Sequence, residues 1–302
     1  MLAVIEAAEE AGAPADPTVA ELRAAHDREA PQLAGPGPRL ARVADLVIPG
    51  PYGWIPLRAY WPTDAADLPI VAYLHGGGWT VGSIASFDAV TRTLAAASGA
   101  LVVSIGYRLA PERTFPVPVD EAVAALHWLA ENAATLGGDG SRLAVAGDSA
   151  GANLAAVAAR RLRDEGGPPL RMQALVYPVC DAALDTRSAE RFAEGFGFTA
   201  EAMRRFWELY LGGADGADPD ASPLRADDLR GLPPAFVATA AADVLRDEGE
   251  AYGHALRAAG VRATIRRYPG TVHGFWRWLA RTGAARRAVG EVGASLRAEL
   301  SS

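Results

Sequence analysis

Lysine is absent from this chain, cysteine occurs once, and no apolar run is long enough to span a membrane. Each shortage removes a class of function. All 29 basic residues are arginines, set against 36 acidic ones for a net charge of −7. No basic stripe is left to neutralise phosphates, so nucleic acid is excluded as a partner. The arginine-only usage, beside abundant Ala, Gly and Pro, reads as coding bias and carries little chemistry. Cys180 alone excludes an internal disulfide and a cysteine-based zinc site. Met1-Leu2-Ala3-Val4-Ile5-Glu6 lacks the charged start and apolar centre of a signal peptide, so the chain is expected in the cytoplasm, with no membrane partner.

What remains is an ordinary globular composition: 302 residues, half of them apolar and 22% charged. The stretch that organises the rest is Leu143-Ala144-Val145-Ala146-Gly147-Asp148-Ser149-Ala150-Gly151. An apolar run ends in G-D-S-A-G, and a helical pattern follows at once. Strand, sharp turn and helix form the setting that a G-x-S-x-G nucleophile elbow needs. The bare pattern arises by accident in roughly one such chain in eight, so its weight comes from that setting.

Around it, strand and helix patterns alternate. Strands are expected at 41–48, 56–61, 69–74, 100–105, 143–146, 172–177, 235–240 and 263–268. Helices are expected at 86–98, 119–135, 150–164, 244–259 and 275–300. That rhythm predicts an α/β fold with a mainly parallel eight-stranded sheet covered by helices on both faces. Two stretches break it. Residues 1–39 hold two helical patterns split by Pro14 and Pro17. Residues 181–232 hold one aromatic helix, 199–210, in a loop rich in Asp, Gly and Pro. Both are expected to form a cap over a core made of 40–180 and 233–302.

A second motif, His75-Gly76-Gly77-Gly78-Trp79, closes the strand expected at 69–74. Consecutive glycines expose backbone N–H groups that suit a developing negative charge. Phosphate-loop patterns are missing, so Gly77 and Gly78 N–H, with Ala150 N–H beyond the serine, are the candidates for an oxyanion hole. Of five histidines, His26 and His127 read as structural, His75 as shaping the glycine loop, and His254 as packing within a helix. His273 falls after a strand, on the same edge as Ser149, and is the candidate base. Asp243, at another strand end, is the candidate third member, with Asp181 as runner-up. Asp247 and Glu248 read as first-turn acids that favour a helix dipole. Cys180 has no elbow around it and is not read as a nucleophile.

Together His75 to Trp79, Tyr107-Arg108-Leu109-Ala110-Pro111-Glu112, the G-D-S-A-G stretch, Asp243-Val244-Leu245-Arg246-Asp247-Glu248 and His273-Gly274-Phe275 resemble the hormone-sensitive-lipase-like esterases, the bacterial family IV carboxylesterases. Two positions depart from that family: Ala152, where a second Gly is usual, and Val244, where Pro is. Neither carries a catalytic atom. The resemblance implies the α/β-hydrolase fold and hydrolysis of short-acyl esters through Ser149, His273 and Asp243, in the chain order such hydrolases use. It implies no metal or organic cofactor and a small-molecule ester as partner, with a homodimer left open. Trp79, Phe196, Phe198, Trp207 and Tyr210 are candidates for the pocket wall. A small-molecule binding protein on the same fold, or an amide or formamide hydrolase with the same three residues, are the competing readings. The first is expected to lose a member of the set, and none is missing.

Overall fold

A computed structural model describes residues 17–301 of the chain. The first of the two N-terminal helical patterns lies outside the described residues. The second is helix α1 (Val19–Ala34), opened by a capping box: Thr18 Oγ1 accepts from Glu21 N, and Glu21 returns a carboxylate oxygen to Thr18 N at 2.8 Å.

Eight strands form one sheet: β1 (Arg42–Gly50), β2 (Gly53–Trp61), β3 (Leu68–Leu74), β4 (Leu101–Ile105), β5 (Gly138–Asp148), β6 (Gln173–Val176), β7 (Ala235–Ala242) and β8 (Ala263–Val272). Their order is β1-β2-β4-β3-β5-β6-β7-β8. β2 runs antiparallel to both neighbours, and every other pairing is parallel. The connecting helices are α2 (Asp88–Ser98), α3 (Val117–Asn132), α4 (Ala150–Asp164), α7 (Arg246–Ala258) and α8 (Gly283–Leu300). Between β6 and β7 lie a short α5 (Arg187–Arg191) and α6 (Ala200–Leu211).

The central strands are apolar without a break because both sheet faces are covered. In β3, Ile70, Ala72 and Leu74 enter the core beneath α3, α4 and α7, while Val71 and Tyr73 enter the core beneath α2 and α8. α4 is alanine-rich and fully buried from Ala150 to Ala159, so it lies close against the strands at little entropic cost. Among the described residues, no helix is long and apolar enough to cross a membrane.

Two of the expected bounds that differ lie beside His273. The last helix does not begin at Phe275. A 3-10 turn, Phe275–Arg277, buries Phe275 and Trp276, and α8 starts afresh where Thr282 Oγ1 accepts from Ala285 N at 3.1 Å. β8 also continues past Tyr268 to Val272, through Pro269 and Gly270, so His273 follows the strand directly.

Candidate active site

The carboxyl ends of β3, β5, β7 and β8 lie on one edge, and each delivers a candidate residue there. β5 stops at Asp148, and Ser149 takes φ +54° and ψ −121°, a region that side-chain-bearing residues rarely occupy. Strain of this kind costs of order 1–3 kcal/mol and persists only where neighbours fix it. Here Ser149 N donates to Val176 O at 2.8 Å, and Ser149 O accepts from Asn153 N at 3.0 Å, so β6 and α4 hold the bend from both sides. Gly151 is required because any Cβ there would collide with the carbonyl oxygens of Leu74 and His75.

Ser149 Oγ lies 3.0 Å from His273 Nε2, and His273 Nδ1 lies 2.9 Å from Asp243 Oδ2. An ionised carboxylate only accepts, so Nδ1 carries the hydrogen and Nε2 is left to accept from the serine. Asp243 is buried, and its second oxygen accepts from Leu245 N at 3.0 Å. Asp181, the runner-up, is engaged elsewhere: it pairs with Arg225 at 2.8 Å and accepts from Ala183 N.

The glycine loop is fixed by groups that sequence reasoning did not single out. Asp148, buried beside the serine, accepts from Tyr73 Oη at 2.7 Å, Gly76 N at 2.9 Å and Tyr177 Oη at 3.3 Å. Burial pushes its carboxyl pKa up, and the bonds from Tyr73 and Gly76 oppose that rise. The available signal was an acid set among apolar and small residues, immediately before Ser149. His75 shapes the loop as expected. Its ring stacks between Phe87 and Tyr107, and burial pushes its pKa down to about 4, so a neutral Nδ1–H donates to Gly76 O at 2.8 Å. With Gly76 N taken by Asp148, the N–H groups of Gly77 and Gly78 have no protein acceptor among the described residues. Ala150 is the first residue of α4, where an N–H has no intrahelical partner.

A cavity of about 190 Å³ opens beside Ser149 and His273, walled chiefly by His26, Tyr177, Phe198, Met203, Phe206 and Arg277. Phe198 stacks on the His273 ring at 4.5 Å. The other aromatic candidates do not line it. Trp79 stacks on Tyr210 at 4.0 Å and meets Trp207 at 4.6 Å, all three inside the core, while Phe196 packs edge-on against Phe192. His26, read as structural, stands in the cavity wall, and burial holds its pKa down at about 2. His254 is exposed and does not pack. A larger open cleft, about 720 Å³, lies along β1 and β2, but its charged residues Asp45 and Arg58 neutralise each other at 2.5 Å.

Asp247 and Glu248 do lie in the first turn of α7. The Cys180 thiol is buried and raised well above its usual pKa, which leaves it protonated and inert. Among the described residues, no cluster of three or more His, Cys, Asp or Glu side chains is arranged to hold a metal.

Residues 71–277 match a family model described as the alpha/beta hydrolase fold. Carboxylesterase NlhH of Mycobacterium tuberculosis is 45% identical over 251 residues, 82% of this chain and 79% of that protein. Ethyl acetate hydrolase of Pseudomonas putida is 37% identical, over 85% of this chain and 83% of its own. Among solved structures, an ester hydrolase from the metagenome of Lake Arreo superposes with a TM-score of 0.96 at 40% identity, covering 100% of this chain and 97% of that one.

Proposed function

This chain belongs to the alpha/beta hydrolase family, in its hormone-sensitive-lipase-like branch of carboxylesterases, and from that premise we propose how its own residues carry out the hydrolysis. Ser149 is the nucleophile, His273 the general base and Asp243 the group that orients and charges the imidazole. The observation that carries this reading is the unbroken pair of contacts, 3.0 Å from Ser149 Oγ to His273 Nε2 and 2.9 Å from His273 Nδ1 to Asp243 Oδ2.

His273 Nε2 takes the Ser149 proton as Oγ bonds to the ester carbonyl carbon. The carbonyl oxygen becomes an oxyanion, and the N–H groups of Gly77, Gly78 and Ala150 receive it; each such donor is worth about 3–4 kcal/mol of barrier. Asp243 stabilises the imidazolium and does not take its proton. The imidazolium then protonates the leaving alcohol as the C–O bond breaks, which leaves an acyl-Ser149. A water deprotonated by His273 attacks that acyl carbon, and His273 returns the proton to Ser149 as the acid departs.

The substrates are short-acyl esters. The cavity is small, about 190 Å³, which favours a short acyl chain. α1 and residues 181–232 act as the cap: His26 comes from α1, and Phe198, Met203 and Phe206 come from the insertion. Ser149→Ala is expected to abolish hydrolysis of p-nitrophenyl acetate with the thermal transition unchanged, and a fluorophosphonate is expected to label the wild type alone. Labelling or turnover in the variant overturns this assignment.

A further inference from the structure

The catalytic cavity contains a cation that the hydrolysis just described does not use. Arg277 ends the 3-10 turn after His273 and lines the same cavity as Ser149. Its guanidinium lies over the Phe87 ring, 5.2 Å from the centroid, so its plane is supported from one side. Its polar contacts are poor. Among the described residues its one hydrogen bond runs from Nη2 to His26 O at 3.4 Å, and the buried Nε has no partner.

The charged and titratable groups around it are committed elsewhere or neutral. Asp148 is held by Tyr73, Tyr177 and Gly76; Asp243 by His273 and Leu245. Asp148 acts on Arg277 most strongly, and Glu29, on the exposed side of α1, less so, both from beyond ion-pair distance. His26 and His75 are both kept neutral, partly by Arg277 itself. Among the described residues no carboxylate comes within ion-pair distance of the guanidinium. A largely buried charge whose nearest carboxylate, Asp148, stays beyond ion-pair distance is costly, and a cavity wall is where a ligand can supply a closer one.

We infer that Arg277 binds an anionic oxygen of the substrate, so that this carboxylesterase selects esters whose acyl or alcohol part carries a carboxylate. The inference rests on the esterase reading of Ser149. Nη1, which makes no hydrogen bond among the described residues and is not among the buried atoms, and the weakly held Nη2 form the end-on fork that meets a carboxylate through two parallel bonds. In so small a cavity the carboxylate must lie only a few atoms from the reacting carbonyl. That describes half-esters of short dicarboxylic acids, or acyl esters of short hydroxy acids.

The test is a pair of matched rate ratios, followed by proton release. Methyl hydrogen succinate is compared with methyl 4-methylpentanoate, and acetoxyacetate with isobutyl acetate. Each pair exchanges a carboxylate for an isopropyl group, the first in the acyl half and the second in the alcohol half. Wild type is expected to favour the anionic member of one pair by about 10- to 100-fold in kcat/KM, the range of a hydrogen bond to a charged group. Arg277→Met should abolish that preference, and Arg277→Lys should keep part of it. Should Arg277→Met fail to fold, the wild-type ratios and the inhibition of wild type by succinate against succinamide decide the matter. The inference is overturned if wild type favours the neutral ester in both pairs, or if Arg277→Met slows both members of a pair equally, which makes Arg277 a prop for Asp148. A wild type that a fluorophosphonate does not label and that cleaves no ester overturns the esterase reading instead.

Discussion

Asp243 and His273 each stand one residue beyond a register pair, Ala242 on β7 and Val272 on β8. Parallel pairing therefore brings the two side chains out side by side at the sheet edge, and the 2.9 Å contact between them follows from the ladder. Asp243→Asn is expected to lower kcat for p-nitrophenyl acetate by about 10³- to 10⁴-fold, because an amide there favours the wrong imidazole tautomer. Asp181→Asn is expected to stay within a few-fold of wild type, since Asp181 faces Arg225. The opposite ranking would falsify the choice of acid.

Much of this edge was legible in the sequence, because motif and strand order speak about local backbone. G-D-S-A-G after an apolar run and H-G-G-G after another already placed two pieces at strand ends. The end of β8 was not legible. Pro269 and Gly270 look like a turn, yet pairing with β7, through a register shift between Ala240 and Ala242, carries the strand across them. Cavity-facing residues were harder still. Trp207 and Tyr210 share helical spacing with Met203 and Phe206, and only tertiary packing decides that the first two meet Trp79 while the others face Ser149. Arg277 lies in a stretch that reads as helix, so nothing local marked it.

Phe206 lines the cavity beside Ser149. Its ring packs against Gly78, where φ is +56° and any Cβ would enter the ring, and it stacks toward Phe198 at 6.2 Å. Phe206→Ala is expected to move the preferred acyl length up by about two to four carbons, each newly buried methylene contributing about 0.8 kcal/mol. Stability should fall by about 1–3 kcal/mol, less than for a fully buried phenylalanine, because the ring is only partly covered. A p-nitrophenyl ester series from C2 to C12 measures the shift, and an unchanged optimum removes Phe206 from the wall.

His26 and His75 predict acid sensitivity. Burial holds His26 at about 2 and His75 at about 4, whereas an unfolded histidine titrates near 6.5. Below about pH 6.5 the unfolded chain binds protons that the native state refuses, so stability is lost as pH falls. His75 contributes to the loss down to about 4, and His26 down to about 2. Each can contribute at most about 1.4 kcal/mol per pH unit. Urea midpoints should therefore drop between pH 7 and pH 5, and the drop should be smaller in His26→Gln. An identical drop in that variant assigns the acid sensitivity to other groups.

Arg23 ties α1 to the loop that follows Gly77 and Gly78. Its Nε donates to Thr80 O at 2.9 Å, its Nη2 to Ala110 O at 3.0 Å, and its guanidinium grips both oxygens of Glu112 at 2.7 and 2.8 Å. The last contact is the shortest, and Arg23 holds the Glu112 pKa down at about 2. Glu112 nevertheless stands 61% exposed, where ion pairs are worth about 0–1 kcal/mol. The carbonyl bonds are partly buried and are the ones that fasten α1, and with it His26, over the cavity. Arg23→Ala is therefore expected to raise KM for p-nitrophenyl butyrate about 10-fold, the scale of one or two charge-assisted bonds, with a smaller change in kcat. Glu112→Ala should change KM by less than about 3-fold. Steady-state kinetics on the two variants separate the cases. Equal effects would mean that the exposed pair, and not the grip on Thr80 and Ala110, holds α1 in place.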